Sequence, residues 1–268
     1  MPNQSFMRYL RKSQMSQNTI RSYCFAVDEY NSMFQIVSTS NLLKYKRYLL
    51  GKYSPSTANV RIRAMNRYLK FIGKGKLALH GVKIQQVSFL GDTLDDNTYE
   101  IFKSCLKGES NLQWYFIVSV LATTGVRIGE LVRIKAEQVI LGYIDVIGKG
   151  GKCRRVFLTD SLRNELLMWM ELIKRCKGPL FRNKYEGEIT TRGVSAQLQR
   201  LAIKYGVDPA KVHPHAFRHL FARKFLEKTG DVALLADLLG HSSIETTRIY
   251  LRKTSEEQHQ IVEKVITW

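Results

Sequence analysis

The chain has 268 residues, 44% of them hydrophobic, and a formal net charge of +19. No apolar run approaches the roughly 18 residues of a membrane span, so the composition leaves a soluble globular protein with one large or two smaller cores. The charge is unevenly placed. Residues 1–90 hold fifteen Lys/Arg against only Asp28 and Glu29, an excess that points to a polyanion partner, with nucleic acid ahead of an acidic membrane surface because counterion release rewards such a patch. The start, MPNQSFMRYLRKSQ, lacks an apolar signal region, and a cytoplasmic location is expected.

In chain order, SQNTIRSYCFAVDEYNSMF reads as a helix capped by Ser16, with Ile20, Tyr23, Val27 and Tyr30 at helical spacing. SNLLKYKRYLLGKY is a second helix, with Leu42, Leu43, Leu49 and Leu50 as its apolar set. SPSTANVRIRAMNRYLKF is a third, with Val60, Ala64, Tyr68 and Phe71 on one side, and the GKG at 73–75 ends it. These elements predict a basic, all-helical domain over 1–75, followed by a linker over 76–93.

Beyond the linker, DDNTYEIFKSCLKG and ESNLQWYFIVSVLATTG read as two helices, the second apolar nearly all round and therefore buried. Two β-rich runs, Tyr143–Ile147 and Arg155–Leu158, flank a glycine-rich turn and predict a hairpin. Helices are expected over about 161–175, 191–205, 214–228, 231–239, 243–251 and 255–266. Residues 94–268 thus read as an α+β domain with one small antiparallel sheet. The four cysteines form no CxxC pair, which argues against structural zinc or a disulfide framework and for reduced thiols.

Several stretches could carry chemistry. In HPHAFRH (213–219), Pro214 suits a first helical position with His213 as cap, and His215 and Arg218 share a face near that N-terminus. This is either a phosphate site or a basic surface helix; zinc on His213 and His215 lacks partners at ligand spacing. In TTGVRIGEL (123–131), Gly125 permits a sharp exit from the buried helix, and Arg127 is either paired with Glu130 or awaiting an anion. VIGKGGKCRR (146–155) is not a P-loop: Gly142 lies one residue too far from Gly148-Lys149, and Gly150 replaces the required Ser/Thr. Its glycines and the cations Lys149, Lys152, Arg154 and Arg155 describe either a finger along a DNA groove or a solvated turn. In LLGHSSIETTRIYLRK, Gly240 suits a helix end, His241 follows at the junction, and Ser242-x-x-Glu245 restarts a helix. Tyr250 sits roughly 120° from Ile244 on that helix, off its apolar face.

Arg127, Lys149, His215-x-x-Arg218, LLGH with His241, and Tyr250 nine residues on occur in the order seen in tyrosine recombinases, and the chain resembles that phage-integrase family from end to end. No arm-binding domain is expected ahead of the helical one, so the chain looks closer to the compact Xer-like or transposon-encoded type. The resemblance implies a SAM-like core-binding domain (1–75), an α+β catalytic domain (94–268), and site-specific cleavage and rejoining of DNA through a 3′-phosphotyrosyl bond and a Holliday junction. It implies Tyr250 as nucleophile, Arg127 and Arg218 as phosphate clamps, Lys149 as general acid, His215 as proton carrier, His241 on the phosphate and Glu130 orienting the site. No cofactor, metal or ATP is expected. The expected partners are duplex DNA with short inverted-repeat core sites and three further copies of the chain, joined through a C-terminal exchange helix at about 255–268 that Ile261, Val262, Val265, Ile266 and Trp268 make apolar on one side. Lys44, Arg47, Arg61, Arg63, Arg67, Lys152 and Arg154 are the expected DNA contacts. A type IB topoisomerase, which would relax DNA as a monomer, and a non-catalytic DNA-binding regulator are the alternatives; the second would be expected to have lost part of the catalytic set.

Overall fold

The computed structural model describes residues 2–83, 94–147 and 153–240, together with Thr247 and Glu263. The chain divides into two compact units, Met1–Val87 and Ser88–Trp268. Each is taken by itself.

The first unit contains α1 (Pro2–Lys12), α2 (Gln17–Met33), α3 (Thr39–Lys52) and α4 (Pro55–Phe71). Ser16, Ser38 and Ser54 cap α2, α3 and α4, each hydroxyl accepting from the main-chain N–H three residues on. The first helix, α1, was not foreseen; it contributes Phe6 and Leu10 to a core with Ile20, Val27, Tyr30, Leu42 and Met65. The apolar side of α3 also differs from expectation. Leu42, Tyr45 and Leu49, spaced three and four apart, are buried, whereas Leu43 and Leu50 are 47% and 43% exposed. Tyr45 can enter the core because its hydroxyl donates to the Ala26 carbonyl at 2.9 Å. On α4 the buried set is Ala58, Ile62, Ala64, Met65, Tyr68 and Leu69, with Val60 and Phe71 half-buried.

After a 3₁₀ turn at Gly75–Leu77, the backbone is held against α4 as far as Val82. Asn66 donates from Nδ2 to the Leu79 carbonyl and accepts the Leu79 N–H at Oδ1, both at 2.8 Å. Asn59 does the same for Val82 at 2.9 and 2.7 Å. Two side-chain amides, two helical turns apart, thus stand in for a neighbouring strand and satisfy backbone groups that would otherwise need water.

The second unit is helical around one two-stranded sheet: α5 (Asp96–Gly108), α6 (Leu112–Thr124), α7 (Ile128–Leu131), α8 (Ala136–Leu141), β1 (Tyr143–Ile147), β2 (Cys153–Phe157), α9 (Asp160–Leu172), α10 (Thr191–Lys204), α11 (Pro214–Thr229) and α12 (Val232–Leu239). The short α8 was not foreseen. Helix α6 is buried without interruption from Tyr115 to Ala122 and is packed by α5, α9 and α11. An apolar helix with no polar face requires such enclosure. The strands pair antiparallel, Tyr143 opposite Phe157 and Ile147 opposite Cys153. β2 therefore starts two residues earlier than predicted. This register turns Ile144, Val146 and Val156 inward and leaves Asp145 and Arg155 paired on the outer face at 2.8 and 3.0 Å. The helices expected at 243–251 and 255–266 lie outside the described residues, apart from Thr247 and Glu263. Among the described residues, no helix is long and apolar enough to cross a membrane.

Candidate active site

The site is assembled where α6, α7, β2, α11 and α12 meet. Helix α6 ends at Gly125, whose φ of +62° is a left-handed conformation natural to glycine. A Cβ there would stand 2.5 Å from Phe221 Cδ1 and 2.9 Å from Leu239 Cδ2, so the backbone passes α11 and α12 at a distance only glycine allows.

Two residues on, Arg127 precedes α7. Its N–H donates to Glu130 Oε2 at 2.7 Å, its Nη1 to Glu130 Oε1 at 3.2 Å, and its Nη2 to the Gly240 carbonyl at 3.2 Å. The Arg127 side chain remains 40% exposed, which leaves guanidinium surface facing outward. Arg127 is thus both paired with Glu130 and accessible from outside.

Helix α11 begins as foreseen. His213 is its cap, accepting the Ala216 N–H at Nδ1 (3.2 Å), and Pro214 occupies the first turn. His215 is exposed on that turn. One turn further, Arg218 is only 4% exposed. Its Nη1 donates to the Gly125 carbonyl at 2.6 Å and its Nη2 to the Leu239 carbonyl at 2.7 Å. A buried guanidinium requires such acceptors. Burial, then the neighbouring His215, lower the pKa of His213; burial followed by the charges of His215, His213 and Arg218 lowers that of His219. The neutral imidazole is the form that His213 needs as a cap.

Arg154 occupies a different position from the one expected of a DNA contact. Its side chain is only 11% exposed. Nη1 and Nη2 donate to Glu130 Oε1 and Oε2 at 3.0 and 2.7 Å, and Nε donates to the Leu238 carbonyl at 2.9 Å. Burial alone would push the Glu130 carboxyl up. The hydrogen bonds from Arg154 and the Arg127 N–H, with both guanidinium charges, reverse this and hold it below the ordinary carboxylate range.

Three successive main-chain carbonyls, Leu238, Leu239 and Gly240, thus each accept from a different arginine: Arg154, Arg218 and Arg127. The last carbonyls of a helix lack intrahelical partners and carry the negative end of its dipole, which accounts for three cations gathering there. The sequence marked this point only through Gly240, the left-handed helix end at φ +63°. Lys149, Lys152, His241 and Tyr250 lie outside the described residues.

The basic residues singled out in the first unit divide into two groups. Lys44, Arg47 and Arg63 are exposed. Arg61 and Arg67 are half-buried and engaged within the unit. Arg61 donates to the Ser22 carbonyl at 3.2 Å, lies 3.9 Å from Glu29 and covers the Phe25 ring at 4.3 Å. Arg67 donates to Ser13 Oγ at 2.9 Å and lies over Tyr9 at 5.1 Å. Both side chains are drawn inward by acceptors and aromatic faces.

Residues 93–257 match the phage integrase family, more than half of the chain. The tyrosine recombinase XerA of Pyrococcus furiosus is 29% identical, over 97% of this chain and 92% of its own length. Among solved structures, the XerH site-specific recombinase bound to its difH substrate in a pre-cleavage complex has a TM-score of 0.70 at 21% identity, covering 91% of this chain and 78% of that one. A lambda integrase tetramer bound to a Holliday junction has a TM-score of 0.72 at 15% identity, over 94% and 78%. Both share the fold.

Proposed function

The chain belongs to the phage integrase family and is a site-specific tyrosine recombinase, and on that premise we propose that Tyr250 is its nucleophile and that Arg127 and Arg218 hold the scissile phosphate. The observation that carries this reading is the convergence of those two guanidiniums, from α7 and α11, on the adjacent carbonyls of Gly240 and Leu239. That convergence lies directly ahead of His241 in the sequence.

The chemistry follows from the residue types. The Tyr250 oxygen forms a bond to phosphorus as the bond to the 5′-oxygen breaks. The 3′-phosphotyrosyl link keeps the phosphodiester's free energy, so the reverse attack by a 5′-hydroxyl needs no ATP. Arg127 and Arg218 offset the charge that builds on the non-bridging oxygens, a role that metal ions perform in many other phosphoryl-transfer sites. Lys149 gives a proton to the departing 5′-oxygen, and His215 carries the proton of the Tyr250 hydroxyl, whose ordinary pKa near 10 calls for a base. His241 donates to the phosphate. Glu130 holds Arg127 at both its main-chain N–H and its guanidinium.

The substrate is duplex DNA and the working form is a multimer. We assign the finer picture as a homotetramer on paired inverted-repeat core sites, linked through residues 255–268, with 1–75 as core-binding domain, 76–93 as connection and 94–268 as catalytic domain. Lys44, Arg47 and Arg63 supply contacts from the first domain, and Lys152 from the sequence between β1 and β2. The protein would act in the cytoplasm, at the nucleoid.

The test is a nicked duplex selected by the wild-type protein from a randomised pool. Wild type is expected to accumulate a covalent adduct and Tyr250→Phe none. Equal adduct from both removes Tyr250 as nucleophile. Relaxation of supercoiled DNA bearing no selected site, without junction formation, favours the topoisomerase alternative.

A further inference from the structure

We infer that Arg154 is a positioning residue of the recombination site, the strut that sets the start of α7 against the end of α12 while the other two arginines engage phosphate. The inference rests on the recombinase reading for its chemistry and on geometry for its mechanics.

Three arginines reach the carboxyl end of α12, but they are not equivalent. Arg127 keeps 40% of its side chain exposed and touches Gly240 and Glu130 at 3.2 Å, at the long end of the hydrogen-bond range. Arg218 is buried and reaches two main-chain carbonyls. A phosphate oxygen is a stronger acceptor for a guanidinium than a carbonyl, so an arriving phosphate competes with Gly240 and Leu239 for these two side chains. Arg154 has no such alternative duty. All three of its nitrogens donate to protein acceptors, at 2.7 to 3.0 Å.

Those acceptors belong to two separate segments. The fork on Glu130 is bidentate, and Glu130 Oε2 also accepts the Arg127 N–H. Arg154 therefore fixes the carboxylate that fixes both ends of Arg127. The third bond, from Nε to Leu238, fixes the last turn of α12, three residues before His241. The side chain also lies against the main chain there: a Cβ on Gly240 would meet Arg154 Cδ at 2.8 Å. With 11% exposure and no uncommitted nitrogen, Arg154 is poorly placed to bind DNA phosphate and well placed to hold the frame on which phosphate is bound.

The experiment compares full-length Arg154→Met, which keeps the length without the donors, and Arg154→Lys, which keeps the charge without the fork. A Glu130→Gln variant and the Arg154→Met/Glu130→Gln double variant complete a cycle. Hydrogen exchange at residues 127–131 and 236–240 is expected to accelerate about tenfold or more in Arg154→Met, with other helices of the unit unchanged. Affinity for the selected duplex and its salt dependence should stay at wild-type values. Adduct formation at saturating DNA should fall on the order of 100-fold, partly recovered in Arg154→Lys and less than additive with Glu130→Gln. A salt slope lower by about one, with the saturated rate intact, would make Arg154 a DNA contact and overturn the inference. Exchange that is unchanged, or faster uniformly across the unit, also overturns it. If wild type itself forms no adduct, the recombinase assignment of Tyr250 falls, and the exchange measurement still decides whether Arg154 joins the two segments.

Discussion

The Arg218 guanidinium and the Gly125 carbonyl stand 2.6 Å apart across 93 residues of sequence. This contact ties the exit of the buried α6 to the helix that carries both His215 and Arg218, so the glycine turn and the proposed phosphate clamp form one structural unit.

Gly125→Ala should therefore damage stability and activity together. The variant must adopt a left-handed φ and place a methyl 2.5 Å from Phe221 Cδ1, at an expected cost of about 2–4 kcal/mol. Urea unfolding measures the first effect. Adduct formation below the new unfolding midpoint measures the second, because any shift of the Gly125 carbonyl moves an acceptor of Arg218.

Salt titration separates the two groups of basic residues in the first unit. Lys44→Ala, Arg47→Ala and Arg63→Ala should each reduce the slope of log affinity against log salt by about one, with the fold unchanged. Arg61→Gln and Arg67→Gln should instead lower stability by about 1–2 kcal/mol, since each loses an internal hydrogen bond and an aromatic partner.

Acid should weaken the first unit through Glu29. Its carboxylate is 8% exposed and accepts from the hydroxyls of Tyr53 at 2.6 Å and Tyr48 at 3.3 Å and from Lys52 at 3.3 Å. Burial pushes its carboxyl up, but the bonds from Tyr53 and Lys52 and the nearby cations outweigh this and depress it. A depressed folded value means that the unfolded chain takes up the proton first as pH falls. The stabilisation is complete above the ordinary glutamate value of about 4.3 and is lost below it. Glu29→Gln should start less stable at pH 7, by about 1–3 kcal/mol, and show a flatter acid limb in urea midpoints.

A second acid step belongs to the cap of α11. His213 must stay neutral to accept the Ala216 N–H, and burial lowers its pKa. Its stabilisation is full above the ordinary histidine value of about 6.5 and declines as pH drops from there. His213→Asn supplies a cap oxygen that does not titrate. Its melting temperature should fall less than that of wild type between pH 7 and pH 5.5.

Much of this organisation was legible in local sequence. The caps Ser16 and His213, the apolar α6, and the glycine stops at Gly125 and Gly240 are all signals within a few residues of the feature they set. On α3 the apolar letters alone point to Leu43 and Leu50, whereas Tyr45, polar at one end, enters the core by finding the Ala26 carbonyl 19 residues away. The internal bonds of the arginines are equally distant in sequence. Arg67 finds Ser13 across 54 residues and Arg154 finds Glu130 across 24, and composition cannot distinguish an arginine facing DNA from one that is internally bonded. The order of the chemical motifs identified the family, whereas the internal task of Arg154 required coordinates.

The enclosure of α6 constrains how the protein is made. Its apolar surface emerges from the ribosome near residue 112, but one of its principal covers, α11, is not complete until Thr229. For more than a hundred residues of synthesis the helix has no finished shelter. Pairings that close over so long a span form slowly and leave sticky surface open to other chains. A truncated product ending before α11 should accumulate as aggregate or chaperone-bound protein, so the second unit enters the cell as an all-or-none object whose yield is set by the last third of the message.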